Sequence, residues 1–174
     1  SYENSPEILH DINFNIKAGT TLGILGGTGS GKSTLMLLLD KLYPLEEENG
    51  TIAIGGKDIR KIRTAHLRKN IGFVLQEPYL FSRTIAENIA ISNDEIDMLA
   101  VRSAAEAAAL DETVNGFAAG YETMVGERGV TLSGGQKQRA AIARTLVSQT
   151  PILIFDDSLS AVDTETDASI RRAI

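Results

Sequence analysis

Gly26-Gly27-Thr28-Gly29-Ser30-Gly31-Lys32-Ser33 is the stretch on which the reading of this chain turns. It follows an apolar run, Thr21-Leu22-Gly23-Ile24-Leu25, that reads as a buried strand. It opens a helix expected from Lys32 to about Leu42, with Pro44 to stop it. Glycines at these positions let consecutive backbone N–H groups curl around phosphate oxygens without Cβ clashes. The helix that follows turns its positive end toward the same anion. Lys32 can then reach the β- and γ-phosphates of a nucleotide, and the Ser33 hydroxyl can ligate Mg2+. A plain glycine-rich turn before a helix shares the composition. It does not require the spacing Gly26-x4-Gly31-Lys32-Ser33 between a strand and a helix. The stretch is a P-loop, and it predicts an α/β fold that binds a nucleotide.

Further strands are expected at Thr51–Ile54, ended by Gly55-Gly56, at Ile71–Leu75, and at Ile152–Phe155, whose all-apolar pattern suits a strand covered on both faces. The last of these delivers Asp156 to a strand end, where a carboxylate can hold the hydration shell of Mg2+ opposite Ser33. Between the strands the pattern is helical. Thr84-Ile85-Ala86-Glu87 has capping-box spacing, and Asn93-Asp94-Glu95 reads as a helix start. Ile96, Leu99, Ser103, Ala107 and Leu110 would fall on one face of that helix. Ser133 caps a further helix, from Gly134 to about Val147, and Asp163-Thr164 starts a last one. The expected architecture is a P-loop NTPase core with a mainly parallel sheet, residues 1–76 and 149–174, and an inserted helical subdomain at 77–148. The chain begins beside an expected strand and ends at Ile174 inside an amphipathic helix with no C-cap signal. The C-terminal part of the domain is therefore expected to be absent.

Composition narrows the function. The 174 residues are 43% hydrophobic and 23% charged, with a net charge of −6, which excludes disorder as the main state. No cysteine is present, so disulfides, thiolate metal sites and cysteine nucleophiles are excluded together. No apolar run approaches the roughly 18 residues needed to span a bilayer, and the polar start carries no basic leader. Acidic net charge argues against nucleic acid as a partner. Six Lys/Arg within residues 57–69 (Lys57, Arg60, Lys61, Arg63, Arg68, Lys69) read as a solvated helix face, or else as a patch facing an acidic partner.

Leu132-Ser133-Gly134-Gly135-Gln136 makes the reading specific. Ser133 can cap a helix whose two glycines leave its N-terminal amides open, forming a second anion site. P-loop, Leu132–Gln136 continuing into Lys137-Gln138-Arg139, and Asp156, in this order and spacing, resemble the nucleotide-binding domain of an ATP-binding cassette (ABC) transporter over nearly the whole chain. The resemblance implies ATP and Mg2+ as ligands. Nucleotide contacts fall on Tyr2, which is similar to the aromatic that stacks on adenine, and on Gly27, Thr28, Gly29, Ser30, Gly31, Lys32, Ser33 and Thr34. Metal contacts fall on Ser33, Gln76 and Asp156. Gln76 resembles the Q-loop glutamine, which contacts Mg2+ and the attacking water and couples to the membrane domain. Leu132–Gln136 resembles the signature that meets a partner's nucleotide, and Ser160-Ala161-Val162-Asp163 the D-loop that crosses to that partner. Thr123-Met124-Val125-Gly126-Glu127-Arg128-Gly129 and Phe81–Ile89 resemble exporter-type segments.

Two departures from the family pattern bear on catalysis. Asp157 stands where a water-polarising Glu is usual. A carboxylate one methylene shorter sits about 1–1.5 Å back, an error in placement that can cost ~100-fold. The family's switch histidine would fall beyond Ile174, and His10 and His66 are in the wrong place for it. Asp157 beside an intact signature resembles the degenerate-site half of a heterodimeric exporter. The resemblance implies an ATPase in which Asp157 and Gln76 are the catalytic positions and the isolated chain is weak or inactive. Its partners would be a second, non-identical ABC nucleotide-binding domain, head to tail, and the transmembrane domain of the same native chain, with no nucleic acid. Its place would be the cytoplasmic face of the cell membrane, the fragment itself being soluble. A regulatory ATP-binding module with little turnover, or a soluble ABC ATPase of DNA repair or translation, are the alternative readings.

Overall fold

The computed structural model describes residues 9–126, 129–157 and 170. The chain forms two compact units, residues 1–67 and 68–174.

The first unit carries the P-loop. Helix α1 spans Lys32–Leu39. It ends earlier than Pro44 alone predicts, because Lys41 takes a left-handed φ of 53°. Lys41 N then donates to Leu38 O at 3.1 Å and Leu42 N to Leu37 O at 2.9 Å, which satisfies the last carbonyls and reverses the chain. Strands β1 (Ala53–Ile54) and β2 (Lys57–Asp58) pair antiparallel. Gly55 and Gly56 both have positive φ, the backbone that a two-residue hairpin turn demands. Asp58 caps the following 3-10 turn, Ile59–Lys61, by accepting from Arg60 N. Its carboxylate also pairs with the Arg60 guanidinium. One cation of the basic run is thus taken up locally. Helix α2 begins at Thr64 and runs to Asn70, across the division between the units.

The strand expected at Thr21–Leu25 does not form. Leu25 is 97% exposed and Leu22 44%. A stretch such as Thr21–Leu25 becomes a strand only when another strand completes its ladder. Among the described residues of this unit the one ladder is the β1–β2 hairpin, which pairs with itself.

In the second unit, β3 (Ile71–Val74) and β4 (Ile152–Phe155) run parallel, with Ile71 opposite Ile152 and Val74 opposite Phe155. Asp156 N extends the ladder to Val74 O at 2.9 Å. Of β4 only Ile154 is buried. Full cover on both faces, which its apolar pattern predicts, is absent because β3 is its single ladder partner among the described residues.

Helix α6 (Gly134–Val147) is the centre of this unit and packs on β3, on α3 (Ile85–Ile89) and on α4 (Met98–Ala107). A Cβ at Gly72 would overlap the side chains of Thr145 and Thr150, so glycine is what lets β3 lie against α6. Where α4 packs on α6, α4 buries Val101, Ala104 and Ala105, and α6 buries Ala140, Ala141 and Ala143. The predicted face is therefore wrong: Leu99 is 80% exposed and Ile96 is exposed as well. Alanines on both helices allow close approach, and that contact outweighs the burial of two larger side chains. The start is wrong too. Asp97, not Asn93–Glu95, caps the helix by accepting from Leu99 N and Ala100 N. Leu110 lies past the end of α4, where it precedes α5 (Asp111–Asn115).

Candidate nucleotide-binding site

The P-loop is built on two left-handed glycines, Gly29 (φ 80°) and Gly31 (φ 90°). Gly31 is the N-cap of α1 and offers no side chain to the first-turn amides. Among the described residues the amides of Lys32, Ser33 and Thr34 thus have no side-chain cap, which suits a phosphate. A Cβ at Gly26 would meet Ser30 Oγ at 2.7 Å, so a larger residue there would force the Ser30 hydroxyl to turn. Lys32 Nζ lies over the loop, donating to Gly26 O at 2.6 Å, to Gly27 O at 2.9 Å and to Ser30 Oγ at 3.4 Å. Its ammonium is held at the mouth of the cradle rather than paired with a carboxylate.

In the second unit the parallel register brings the ends of β3 and β4 side by side. Gln76, two residues past β3, donates through Nε2 to Asp157 Oδ2 at 3.3 Å. Asp157 itself has a left-handed φ of 48°, uncommon for a residue with a Cβ. Gln76 and Asp157 are thereby brought together, and Asp156 stands between Asp157 and the strand. Within this unit Gln76 and Asp156 offer hard oxygen donors of the kind Mg2+ takes, and in the first unit the Ser33 hydroxyl is another, while no group of three His, Asp or Glu converges among the described residues. So few protein oxygens in either unit suit a cation held mainly by substrate phosphates.

Ser133 heads α6 in a complete capping box. Its Oγ accepts from Gln136 N at 3.3 Å, and Gln136 Oε1 accepts from Ser133 N at 2.9 Å. Leu132 is buried and anchors the turn. Nothing lies within 4 Å of where a Gly134 Cβ would stand, so the face above Gly134 is open.

A buried polar network, which sequence reasoning missed, fixes the chain between these parts. Asn88 is 1% exposed. Its Nδ2 donates to Phe81 O at 2.9 Å and Thr84 O at 3.0 Å, and its Oδ1 accepts from Phe81 N at 2.8 Å. Arg144 on α6 donates to Asn88 O and to Tyr79 O. The α3 capping box of Thr84 and Glu87 forms as expected. Hydrogen bonding to Thr84 holds the Glu87 carboxyl below its ordinary range. The segment at Met124–Val125 is tied to the same turn, Ile85 N donating to Thr123 O and Val125 N to Arg83 O, each at 3.0 Å. Below it Tyr121 donates to Asp111 Oδ1 at 2.6 Å. Burial, and then that hydrogen bond, push the Tyr121 hydroxyl above its ordinary pKa. The available signal was a polar residue among apolar ones on a short helix, Asn88 beside Ile85 and Ile89. Tyr2, Glu127, Arg128, the Ser160–Asp163 run and the last helix expected after Asp163-Thr164 lie outside the described residues.

A phosphate-shaped loop at the head of a helix, in a chain that also sets an amide and two carboxylates at the end of a parallel strand pair, defines a P-loop nucleotide-binding domain. The chain belongs to the ABC transporter family, whose pattern matches residues 9–160. It is 45% identical over 169 residues to the ATM1-type heavy metal exporter of Novosphingobium aromaticivorans, covering 97% of this chain and 28% of that protein. It is 42% identical over 173 residues to the beta-(1-->2)glucan export ATP-binding/permease protein NdvA of Rhizobium meliloti, covering 99% of this chain and 29% of that one. A solved bacterial Atm1-family ABC exporter with ATP bound superposes with a TM-score of 0.92 at 44% identity, over 99% of this chain and 30% of that one. The chain thus spans under a third of the length of the relatives it matches. Among the described residues no helix is long and apolar enough to cross a membrane.

Proposed function

We propose that this chain is the ATP-binding and ATP-hydrolysing domain of an exporter, and that it is the degenerate-site half of a heterodimer. The observation that carries the ATPase reading is the α1 N-terminus, whose amides have no side-chain cap and whose Lys32 ammonium lies over the loop. The proposed division is a core of residues 1–76 and 149–174 with a helical subdomain at 77–148.

In this reading Gly27–Thr34 hold the phosphates through backbone amides and Lys32, and Tyr2 stacks on the adenine. Mg2+, when bound, neutralises phosphate charge as it shifts during transfer. Ser33, Asp156 and Gln76 are the residues that would hold it. Asp157 and Gln76 face the attacking water, with Asp157 set back by one methylene from the usual Glu. Leu132–Gln136 present the open head of α6 to the nucleotide of a second, non-identical ABC domain, docked head to tail, and Ser160–Asp163 cross to that partner. Gln76 and Thr123–Gly129 carry closure to a membrane domain of the same native chain. The domain then works at the cytoplasmic face of the membrane. The names of the two exporters differ in cargo, so cargo is not read from this domain.

Lys32→Ala tests the site. Loss of a charge-assisted contact should cost about 1.5–3 kcal/mol, roughly 10- to 150-fold in Kd for Mg-ATP. Titration of the transporter with a fluorescent ATP analogue reads it, and an unchanged Kd removes the P-loop from the proposal.

A further inference from the structure

Gln138 is the least expected buried side chain in the second unit. It lies on α6, five residues past the Ser133 cap, and is 3% exposed. Its Nε2 donates to the backbone carbonyl of Gln76. The amide's orientation is decided by chemistry, since a carbonyl can only accept. The cost of that choice is visible. Gln138 Oε1 is buried with no hydrogen-bond partner among the described residues. A methionine would fill the same volume without burying a bare acceptor. Packing alone therefore does not call for glutamine here. What the amide supplies is one donor, aimed at the backbone of Gln76.

That backbone belongs to the residue whose side chain meets Asp157 Oδ2 at 3.3 Å. The contacts run in series: the rigid α6, Gln138, the Gln76 main chain, the Gln76 side chain, Asp157. At its other end α6 carries Ser133 and Gln136 in their capping box. A helix moves as a body, so displacement of its head is felt one turn later at Gln138. We infer that Gln138 is a positioning residue. It ties Gln76 to α6, so that engagement of the Ser133 end by a partner's nucleotide sets the orientation of Gln76 at this chain's own nucleotide. The inference rests on the roles proposed above for Gln76 and for Leu132–Gln136.

The test uses the purified transporter that contains this chain. Gln138→Met keeps the volume and removes the donor. The expected result is about tenfold slower hydrolysis of the ATP held at this chain's own site, followed in single turnover as the slow phase, with Kd for Mg-ATP within about twofold, the pattern of lost orientation rather than lost binding. In a Gln76→Ala background the same substitution should add little, because the route through Gln76 is already cut. Full multiplication of the two effects, or an unchanged slow phase, would overturn the inference. Should Gln138→Met fail to fold, Gln138→Leu also lacks the donor and stays apolar, and the same outcomes apply. Hydrogen–deuterium exchange over residues 75–78 gives a readout independent of turnover. Exchange there should rise in either variant, and unchanged exchange contradicts the tether. A wild-type transporter with no ATPase activity would refute the proposed function, and the exchange measurement would still decide whether Gln138 holds Gln76.

Discussion

Arg144 grips Asn88 at two points, donating through Nε to its backbone carbonyl at 2.8 Å and through Nη2 to its side-chain oxygen at 3.2 Å. Through Nη1 it also reaches Tyr79 O at 3.0 Å. The segment that leaves Gln76 is thus fastened to α6 by a forked cation. Burial pulls the Arg144 pKa down, yet a guanidinium remains charged in protein. Its three acceptors are what make that buried charge tolerable.

Removing either partner should therefore be costly. Asn88→Ala leaves Phe81 N and part of the Arg144 fork without acceptors, and should destabilise by about 2–4 kcal/mol. Arg144→Lys should recover only part of the loss seen in Arg144→Ala, because an ammonium cannot fork. Denaturant unfolding checks both. A loss below ~0.5 kcal/mol for Asn88→Ala, no more than an ordinary surface change, would show the network to be decorative.

Two glycines should behave in opposite ways. At Gly72 a methyl would overlap Thr145 and Thr150, so Gly72→Ala should cost about 1–3 kcal/mol through overpacking. At Gly134 nothing lies near, and alanine is the better helix former, so Gly134→Ala should be neutral or gain up to about 1 kcal/mol. Its effect should fall on turnover instead, since the methyl covers the open head of α6. Thermal melts beside ATPase rates separate the two. A destabilised Gly134→Ala would contradict the open face.

The pH dependence follows from Tyr121 and Glu87. Burial and the Asp111 hydrogen bond raise the folded pKa of Tyr121 above its ordinary 10.0. Its contribution is complete below 10.0 and is lost as pH rises through the folded value. Glu87 is shifted the other way by its hydrogen bonds with Thr84. Its contribution is present above 4.5 and is lost as pH falls through the folded value. Tyrosinate absorbance should show one tyrosine, absent in Tyr121→Phe, that ionises only as the protein unfolds. Glu87→Gln should flatten the acid limb of stability. A normal titration of Tyr121 in the folded protein would contradict its buried bond to Asp111.

What the sequence made legible was local. The P-loop spacing, the capping box at Thr84, the cap at Ser133 and the bounds of α6 each depend on residues a few positions apart. What it hid depended on distant partners. Thr21–Leu25 lacks a ladder partner in its unit, and no feature of its own composition announces that. The face of α4 was misread because large apolar residues were weighed above alanines, whose value appears only against the alanines of α6. The end of α1 was missed because Lys41, not a glycine, takes the left-handed position. The partners of Gln138 and Arg144, Gln76 and Asn88, stand 62 and 56 residues away, and no spacing along α6 announces them.

In the proposed function this chain's own P-loop site is slow while its signature completes a faster one. Steady-state ATPase of two variants in the purified heterodimer tests it most directly. Asp157→Asn should change turnover little, because that carboxylate is set back from the water. Ser133→Arg should lower turnover ~100–1,000-fold, because it breaks the capping box and fills the helix head that approaches the partner's γ-phosphate. If Asp157→Asn is as damaging as Ser133→Arg, Asp157 is a working catalytic carboxylate and the degenerate-site account is wrong.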